Sequence, residues 1–184
     1  MNKNLQTGIT MGVSTFFIAI LVVALSRLAV ANLTAFLATV VFLLIITIGV
    51  LFDMIGVAAA AADVAPFNAR AARKDFGART GLQLVQNADR VATFCSDIVG
   101  DICGIVSGAL GAMIVVRLAF AVDFSEAVLN ITIVALAAAL TVGGKGFCKG
   151  IGINRANEII GFVGNLIALV QGFNPGKRKG GRSK

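Results

Sequence analysis

The chain contains no histidine, no tryptophan and no tyrosine among its 184 residues. Without histidine, neither a Ser-His nor a Cys-His catalytic pair can form, and zinc lacks its commonest nitrogen ligand. The three cysteines, Cys95, Cys103 and Cys148, show no CxxC spacing, and we interpret them as small buried apolar residues. No nucleophile with a matching base is present, so the sequence argues against an enzyme.

Charged residues are scarce as well, at 14% of the chain, whereas a soluble domain carries about a quarter. Hydrophobic residues make up 58%, and the mean hydropathy is +0.92. The apolar runs are continuous, without the alternation typical of membrane strands. We predict an all-α integral membrane protein with four transmembrane helices and juxtamembrane amphipathic helices. Phe, Lys and Arg must anchor it at the interface, because the usual Trp and Tyr are missing.

The four predicted spans are the apolar runs at residues 9–25, 33–52, 91–118 and 127–142. We expect the second helix to run on past Asp53 through residues 54–62. In domain terms, residues 1–32 form an extra N-terminal transmembrane helix and residues 33–172 the main transmembrane domain. Residues 173–184 form a flexible basic tail.

Residues 63–90 are the polar interior segment of the chain. Pro66 breaks or restarts the helix there. Basic residues alternate with apolar ones after it, which predicts amphipathic helical pieces at the membrane surface, although a plain solvated loop is the alternative. The basic residues of this cluster are Arg70, Arg73, Lys74 and Arg79.

Two further predictions concern the C-terminal part. The segment GGKGFCKGIGINR, which follows the fourth span, indicates a glycine-rich break. Residues 156–170 have apolar positions at helical spacing but are short for a span, so we predict an amphipathic helix lying on the membrane surface.

Basic residues indicate the orientation. With four spans, all but Arg27 and Arg117 of the 16 lysines and arginines lie on one side, which the positive-inside rule makes cytoplasmic. We therefore predict a multi-pass protein of the cell membrane with both termini in the cytoplasm. The basic loops and tail are expected to contact anionic lipids rather than nucleic acid, because the tail has no aromatic stacking partner.

Carboxylates inside apolar helices mark the candidate site. Inserting one carboxylate at the centre of a membrane helix costs about 2.5–3.5 kcal/mol of free energy. Asp97 and Asp101 are one helical turn apart, and Asp53 reaches a similar depth on the second helix. Three converging carboxylates require protonation or a cation, and magnesium prefers such oxygen ligands. Neutral candidate ligands are Ser96, Thr93, Ser107 and Asn130. The alternative is a polar seam, in which the aspartates pair with arginines or backbone groups.

Residues 52–170 resemble the transmembrane domain of the CorB/CorC and cyclin M magnesium transporter family. Several weak motifs occur in the family's order. They are Phe76-Gly77-Ala78-Arg79, Gly81-Leu82-Gln83-Leu84-Val85-Gln86-Asn87, Thr93, Gly108-Ala109-Leu110-Gly111, Gly144-Lys145-Gly146-Phe147-Cys148-Lys149 and Asn154-Arg155-Ala156-Asn157-Glu158. The resemblance implies three core helices, a homodimer and Mg²⁺ in a cytoplasm-facing cavity.

The chain also departs from that family. The S-x-S-E-like end of the family's first helix falls near residues 54–57, without serine or glutamate, and Asp97, Asp101 and Gly104 replace its asparagine-rich face. The G-E and P-K pairs read Gly144-Lys145 and Cys148-Lys149. The chain ends where cystathionine-β-synthase regulatory domains would begin, so we expect no nucleotide regulation in it.

Two functions follow as hypotheses. The first is a magnesium transporter-like protein with cation contacts at Asp97, Asp101, Asp53, Ser96 and Thr93. The second is a non-transporting membrane scaffold or accessory subunit that retains the fold.

Overall fold

A computed structural model describes residues 3–31, 34–119 and 125–172, and all secondary structure in these ranges is helical. Four helical stretches are long and apolar enough to cross a membrane: Gly8–Ser26, Ala35–Ala61, Ala88–Ala119 and Ala127–Asn154. The predicted fold class is confirmed. The elements are α1 (Lys3–Ala31), α2 (Ala35–Ala61), α3 (Val64–Ala72), α4 (Ala78–Gln86), α5 (Ala88–Ala92), a π-helical segment (Thr93–Val99), α6 (Gly100–Ala119), α7 (Glu126–Asn154) and α8 (Ala156–Gly172).

Helix α2 is the central element of the fold, because α5, the π-helical segment, α6, α7 and α8 all pack against it. Its buried face meets α6 through two rows of apolar residues, and in each row every fourth residue points at the partner helix. The rows are Ala38, Phe42, Ile46 and Val50 on α2, and Ile102, Val106, Leu110 and Ile114 on α6. We call α1, α2, α6 and α7, packed around these rows, the membrane bundle.

A second apolar cluster lies beyond the end of this core. The last turns of α2 supply Ala58 and Ala59, and the short helices supply Phe67, Val85, Ala156 and Ile160. We call α3, α4, α5 and α8, packed on the end of α2, the juxtamembrane cap. Helices α4 and α8 approach closely, since a Cβ atom on Gly164 would lie 2.8 Å from the backbone nitrogen of Gly81.

The predicted glycine-rich break after residue 142 is wrong. Helix α7 continues through Gly143, Gly144 and Gly146 to Asn154. Glycine costs a helix about 1 kcal/mol relative to alanine, and the packing of α7 along α2 outweighs this cost here. Two α7 glycines also allow close packing on α2. A Cβ atom added at Gly144 would lie 3.1 Å from Cγ2 of Val50, and one added at Gly152 would lie 3.1 Å from the carbonyl oxygen of Met54.

Other boundaries agree with the sequence predictions. Helix α2 runs past Asp53 to Ala61, and the chain restarts as α3 with Pro66 in its first turn, where proline is tolerated. The polar segment after it forms two short helices, α3 and α4, rather than a plain loop. The predicted helix at 156–170 is α8, with one face packed against α4. The predicted basic tail, residues 173–184, lies outside the described residues.

Candidate functional site

Three charged side chains lie at one level of the membrane bundle, close to the cap. At about 1.5 Å per residue, Asp53 lies about 27 Å from the start of α2. Asp101 lies about 27 Å from the far end of α6, and Lys145 about 29 Å from the start of α7. We call Asp53, Asp101 and Lys145 the charged layer, and each lies nearly the thickness of a hydrocarbon core, about 30 Å, from the opposite end of its helix.

Asp53 is the buried member of the charged layer, with only 5% of its surface exposed. Its Oδ1 atom lies 3.9 Å from Nζ of Lys145 on α7. This distance exceeds the 2.7–3.2 Å typical of a hydrogen bond, so the contact is an electrostatic pair. The other carboxylate oxygen, Oδ2, is buried and has no hydrogen-bond partner in the described part of the chain.

Gly100 helps to position the lysine of this pair. An added Cβ at Gly100 would lie 3.5 Å from Nζ of Lys145, so the ammonium packs directly over the start of α6. The pair therefore connects α2 and α7 beside α6. Sequence reasoning missed Lys145 because it placed the end of the fourth span at residue 142. Reading residues 127–154 as one continuous helix would have put this lysine opposite a membrane-embedded carboxylate.

Asp97 and Asp101 do not join Asp53. Both side chains are exposed, and neither forms an ion pair within the described residues. The prediction placed both on one face of a regular α-helix, but Asp97 lies in the π-helical segment and Asp101 in α6. A π-helical turn is wider than an α-helical one, so the regular i, i+4 stacking does not carry across it.

The predicted neutral ligands are dispersed. Ser96 lies against α2, where a Cβ on Gly56 would be 2.6 Å from its Oγ, and Thr93 is half-buried at the start of the π-helical segment. Ser107 donates to the carbonyl oxygen of Gly104 at 2.9 Å, and Asn130 is exposed on α7.

Ser96 also lines an open pocket between α2 and the start of the third span. The pocket has a volume of about 310 Å³, and its lining residues are Gly56, Val57, Ala60, Ala61, Ala92 and Ser96. The lining carries no charged side chain. This pocket therefore lacks the carboxylates that a divalent cation requires.

The predicted convergence of three carboxylates does not form. Across residues 3–31, 34–119 and 125–172, no group of three or more His, Cys, Asp or Glu side chains is placed to hold a metal ion. The physical reason is that Asp53 points into the bundle toward Lys145, whereas Asp97 and Asp101 face outward. Within the described residues of one chain, the three carboxylates are therefore not gathered at one point.

Comparisons with known proteins find no relative. A scan against protein-family models, a search of curated proteins and a search of solved structures each give no match. The resemblance to the CorB/CorC and cyclin M family stays a prediction, and so does magnesium as the ion. The feature that the geometry places at the centre of the site is the buried Asp53–Lys145 pair.

Proposed function

We propose that this chain is a non-transporting membrane scaffold or accessory subunit with a CorB/CorC-like fold, located in the cell membrane with both termini cytoplasmic. The observation that supports it is the Asp53–Lys145 pair. The lysine supplies, from within the chain, the positive charge that a bound cation would otherwise supply.

The electrostatics of the pair favour this proposal. A buried carboxylate requires a counter-charge, because the low dielectric strongly disfavours an isolated ion. The side chain of Lys145 is only 27% exposed, and its ammonium lies 3.9 Å from Oδ1 of Asp53. A divalent cation at the same carboxylate would be repelled by this neighbouring positive charge, and repulsion between close charges is strong in a poorly solvated site.

We also propose that the chain assembles as a homodimer. One face of α6 supports this: Asp101, Gly104 and Gly108 are exposed, and an added Cβ at either glycine would meet nothing within 4 Å. Small residues four apart allow membrane helices to approach closely. The mass of the detergent-solubilised protein tests the assembly, and a strictly monomeric mass would contradict it.

A magnesium transporter-like function is the second candidate, and one observation favours it. Oδ2 of Asp53 is a buried acceptor without a hydrogen-bond partner in the described residues. In this candidate function, Mg²⁺ is the transported substrate and Asp53 contacts it, with Asp97, Asp101, Ser96 and Thr93 as the further predicted contacts.

Metal titration of the detergent-purified protein distinguishes the two candidates. For a scaffold, the melting temperature of the parent protein does not respond to millimolar Mg²⁺. The Lys145→Met variant is destabilised because its Asp53 has lost its counter-charge, and adding Asp53→Leu restores stability without Mg²⁺. For a transporter, Mg²⁺ stabilises the parent, and Asp53→Asn abolishes the effect.

A flux measurement and a matched variant complete the test. Parent protein in liposomes loaded with a magnesium-sensitive dye should show no flux above that of empty liposomes. Lys149→Met removes an exposed lysine one turn along α7 and should behave as the parent does. Protein-dependent Mg²⁺ flux that Asp53→Asn abolishes would overturn the scaffold proposal.

A further inference from the structure

The juxtamembrane cap lies beyond the charged layer, at the end of α2. From the charged layer, α2 continues from Asp53 to Ala61, which is about 12 Å. The headgroup zone extends roughly 5–8 Å beyond each side of the hydrocarbon, and a helix is about 10 Å across. The helices that pack on the end of α2 therefore reach this zone.

The turn between α3 and α4 lies along helix α8. Arg70 packs over Gly161, where an added Cβ would lie 3.3 Å from its Nη1 atom, and Gly77 packs against Asn165. Lys74 and Gly77 both have positive φ angles, 61° and 68°, which bring the chain around tightly between these two contacts. The turn is thus held beside residues 161–165.

Large apolar side chains are exposed on both sides of this contact. Phe76 on the turn is 65% exposed, and on α8 Phe162 is 69% and Leu166 52% exposed. Helix α8 buries its opposite face, at Ala156, Ile160 and Gly164, in the cap. An amphipathic helix with its apolar face outward at headgroup depth is typical of a segment that lies in the membrane interface.

Cations lie in the same turn as Phe76, and one of them, Arg70, lies beside α8. Arg70, Arg73 and Lys74 are exposed, and the acid in this turn, Asp75, lies 3.9 Å from Arg70. Arg73 and Lys74 form no ion pair within the described ranges. The turn therefore retains a positive charge after its internal pairing, and this charge is complementary to anionic phospholipids.

We propose that this surface binds the headgroups of anionic phospholipids, with the phenyl rings inserted beside them. We call it the headgroup patch and define it as Arg70, Arg73, Lys74, Phe76, Phe162 and Leu166. The proposal is independent of whether the protein transports an ion, because it uses none of the residues of the charged layer.

The absence of tryptophan makes the proposal directly measurable. Phe162→Trp introduces the only tryptophan of the chain at an exposed position, and Phe76→Trp is a second reporter on the other side of the contact. The full-length variants are reconstituted into vesicles of phosphatidylcholine and phosphatidylglycerol, with bromine carried on the acyl chains of one lipid at a time. Bromine quenches tryptophan only at close range.

Both reporters are expected to show blue-shifted emission and stronger quenching by brominated phosphatidylglycerol. The expected preference is at least about fivefold, the factor equivalent to ~1 kcal/mol per basic residue near the surface. Replacing Arg73→Gln and Lys74→Asn together should bring the ratio close to one. Asparagine is chosen at position 74 because it tolerates positive φ.

The control removes the same charge elsewhere. Arg90→Gln with Lys149→Gln neutralises two exposed cations outside the headgroup patch and should keep the preference of the parent. Three outcomes would each overturn the proposal. They are tryptophan emission typical of water, equal quenching by the two brominated lipids, and a control variant that loses the preference as fully as the Arg73→Gln and Lys74→Asn variant does.

Discussion

In the membrane bundle, α2 and α6 meet through interdigitating apolar side chains, whereas in the cap α4 and α8 meet almost backbone to backbone at Gly81 and Gly164. The difference follows from the lengths of the helices. Long helices present many side chains to each other, and dispersion contacts summed over several turns hold them together. Helices α4, of 9 residues, and α8, of 17, have few turns in contact, so close approach takes the place of a long interface.

The charged layer lies between these two regions and belongs to neither core. Asp53 follows the last apolar row residue of α2 in the bundle and precedes the alanines of α2 in the cap. The Asp53–Lys145 pair therefore marks the point where the packing of the long bundle helices gives way to the packing of the short cap helices. Changes in each region are expected to differ in size and in whether a second substitution can reverse them.

The largest effect is expected at the charged layer. Lys145→Met leaves Asp53 buried without its counter-charge and should lower the free energy of unfolding by about 3–5 kcal/mol. Adding Asp53→Leu should restore most of this loss, because it removes the buried charge. Chemical unfolding in detergent, followed by the helical circular dichroism signal, measures both. If the double variant is as unstable as Lys145→Met alone, the pair is not what stabilises this boundary.

The next largest effect is expected in the cap. Gly164→Ala places a Cβ atom 2.8 Å from the Gly81 nitrogen and 2.9 Å from its Cα, so backbone must move. This overpacking should lower the free energy of unfolding by about 1–3 kcal/mol. Amide hydrogen exchange should become faster in α4 and α8 than in α6. Gly150→Ala, on an open face of α7, is the control and should be neutral or slightly stabilising. Similar losses for both variants would argue against the close contact.

In the bundle, a comparable overpacking should be reversible. Gly49→Ala places a Cβ atom 2.8 Å from Cβ of Cys103 on α6 and should cost about 1–2 kcal/mol. Because the obstacle is a side chain, Gly49→Ala combined with Cys103→Gly should return to within about 1 kcal/mol of the parent stability. At Gly164, no second substitution can make room in this way, because the atoms that an added Cβ would meet belong to the backbone of Gly81 and Gly77. A swap that fails to recover stability in the same unfolding measurement would contradict the side-chain contact described for the bundle.

The smallest effect is expected at the exposed carboxylates. Asp97→Asn with Asp101→Asn removes two charges that form no ion pair in the described residues, so stability should change by less than about 0.5 kcal/mol. The melting temperature with and without Mg²⁺ checks this. A stability loss above 2 kcal/mol, or the loss of a Mg²⁺ response present in the parent, would show that both residues belong to a site.

Sequence reasoning predicts elements well where the signal is local. Hydropathy located the four spans, and the apolar residues after Asp53 correctly indicated that α2 continues. Glycine misled the prediction for α7, because a glycine cluster that signals a loop in an isolated segment remains helical where the helix packs closely on α2. The π-helical segment has no recognisable sequence signal, and a regular α-helix in its place would put the two aspartates on a common face.

In the candidate site, too, one feature can be predicted from the sequence and another depends on packing. A carboxylate at Asp53, within an apolar helix, is unusual enough to be noticed from sequence alone, and the structure does bury it. Its partner is not evident from the sequence, since Lys145 stands in a glycine-rich stretch typical of a break and lies far from Asp53 along the chain. Asp97 and Asp101 drew equal attention in the sequence, but they remain exposed.

By itself, the sequence determined that this is a helical membrane protein with four spans and a charge inside the second, because hydropathy is a sum over neighbouring residues and needs no knowledge of packing. Only the tertiary structure decided which charge faces which. Whether a carboxylate meets a lysine, another carboxylate or lipid depends on how helices from distant parts of the chain are rotated against each other. Close packing at Gly144, Gly152 and Gly100 sets that rotation, and it places Lys145 opposite Asp53.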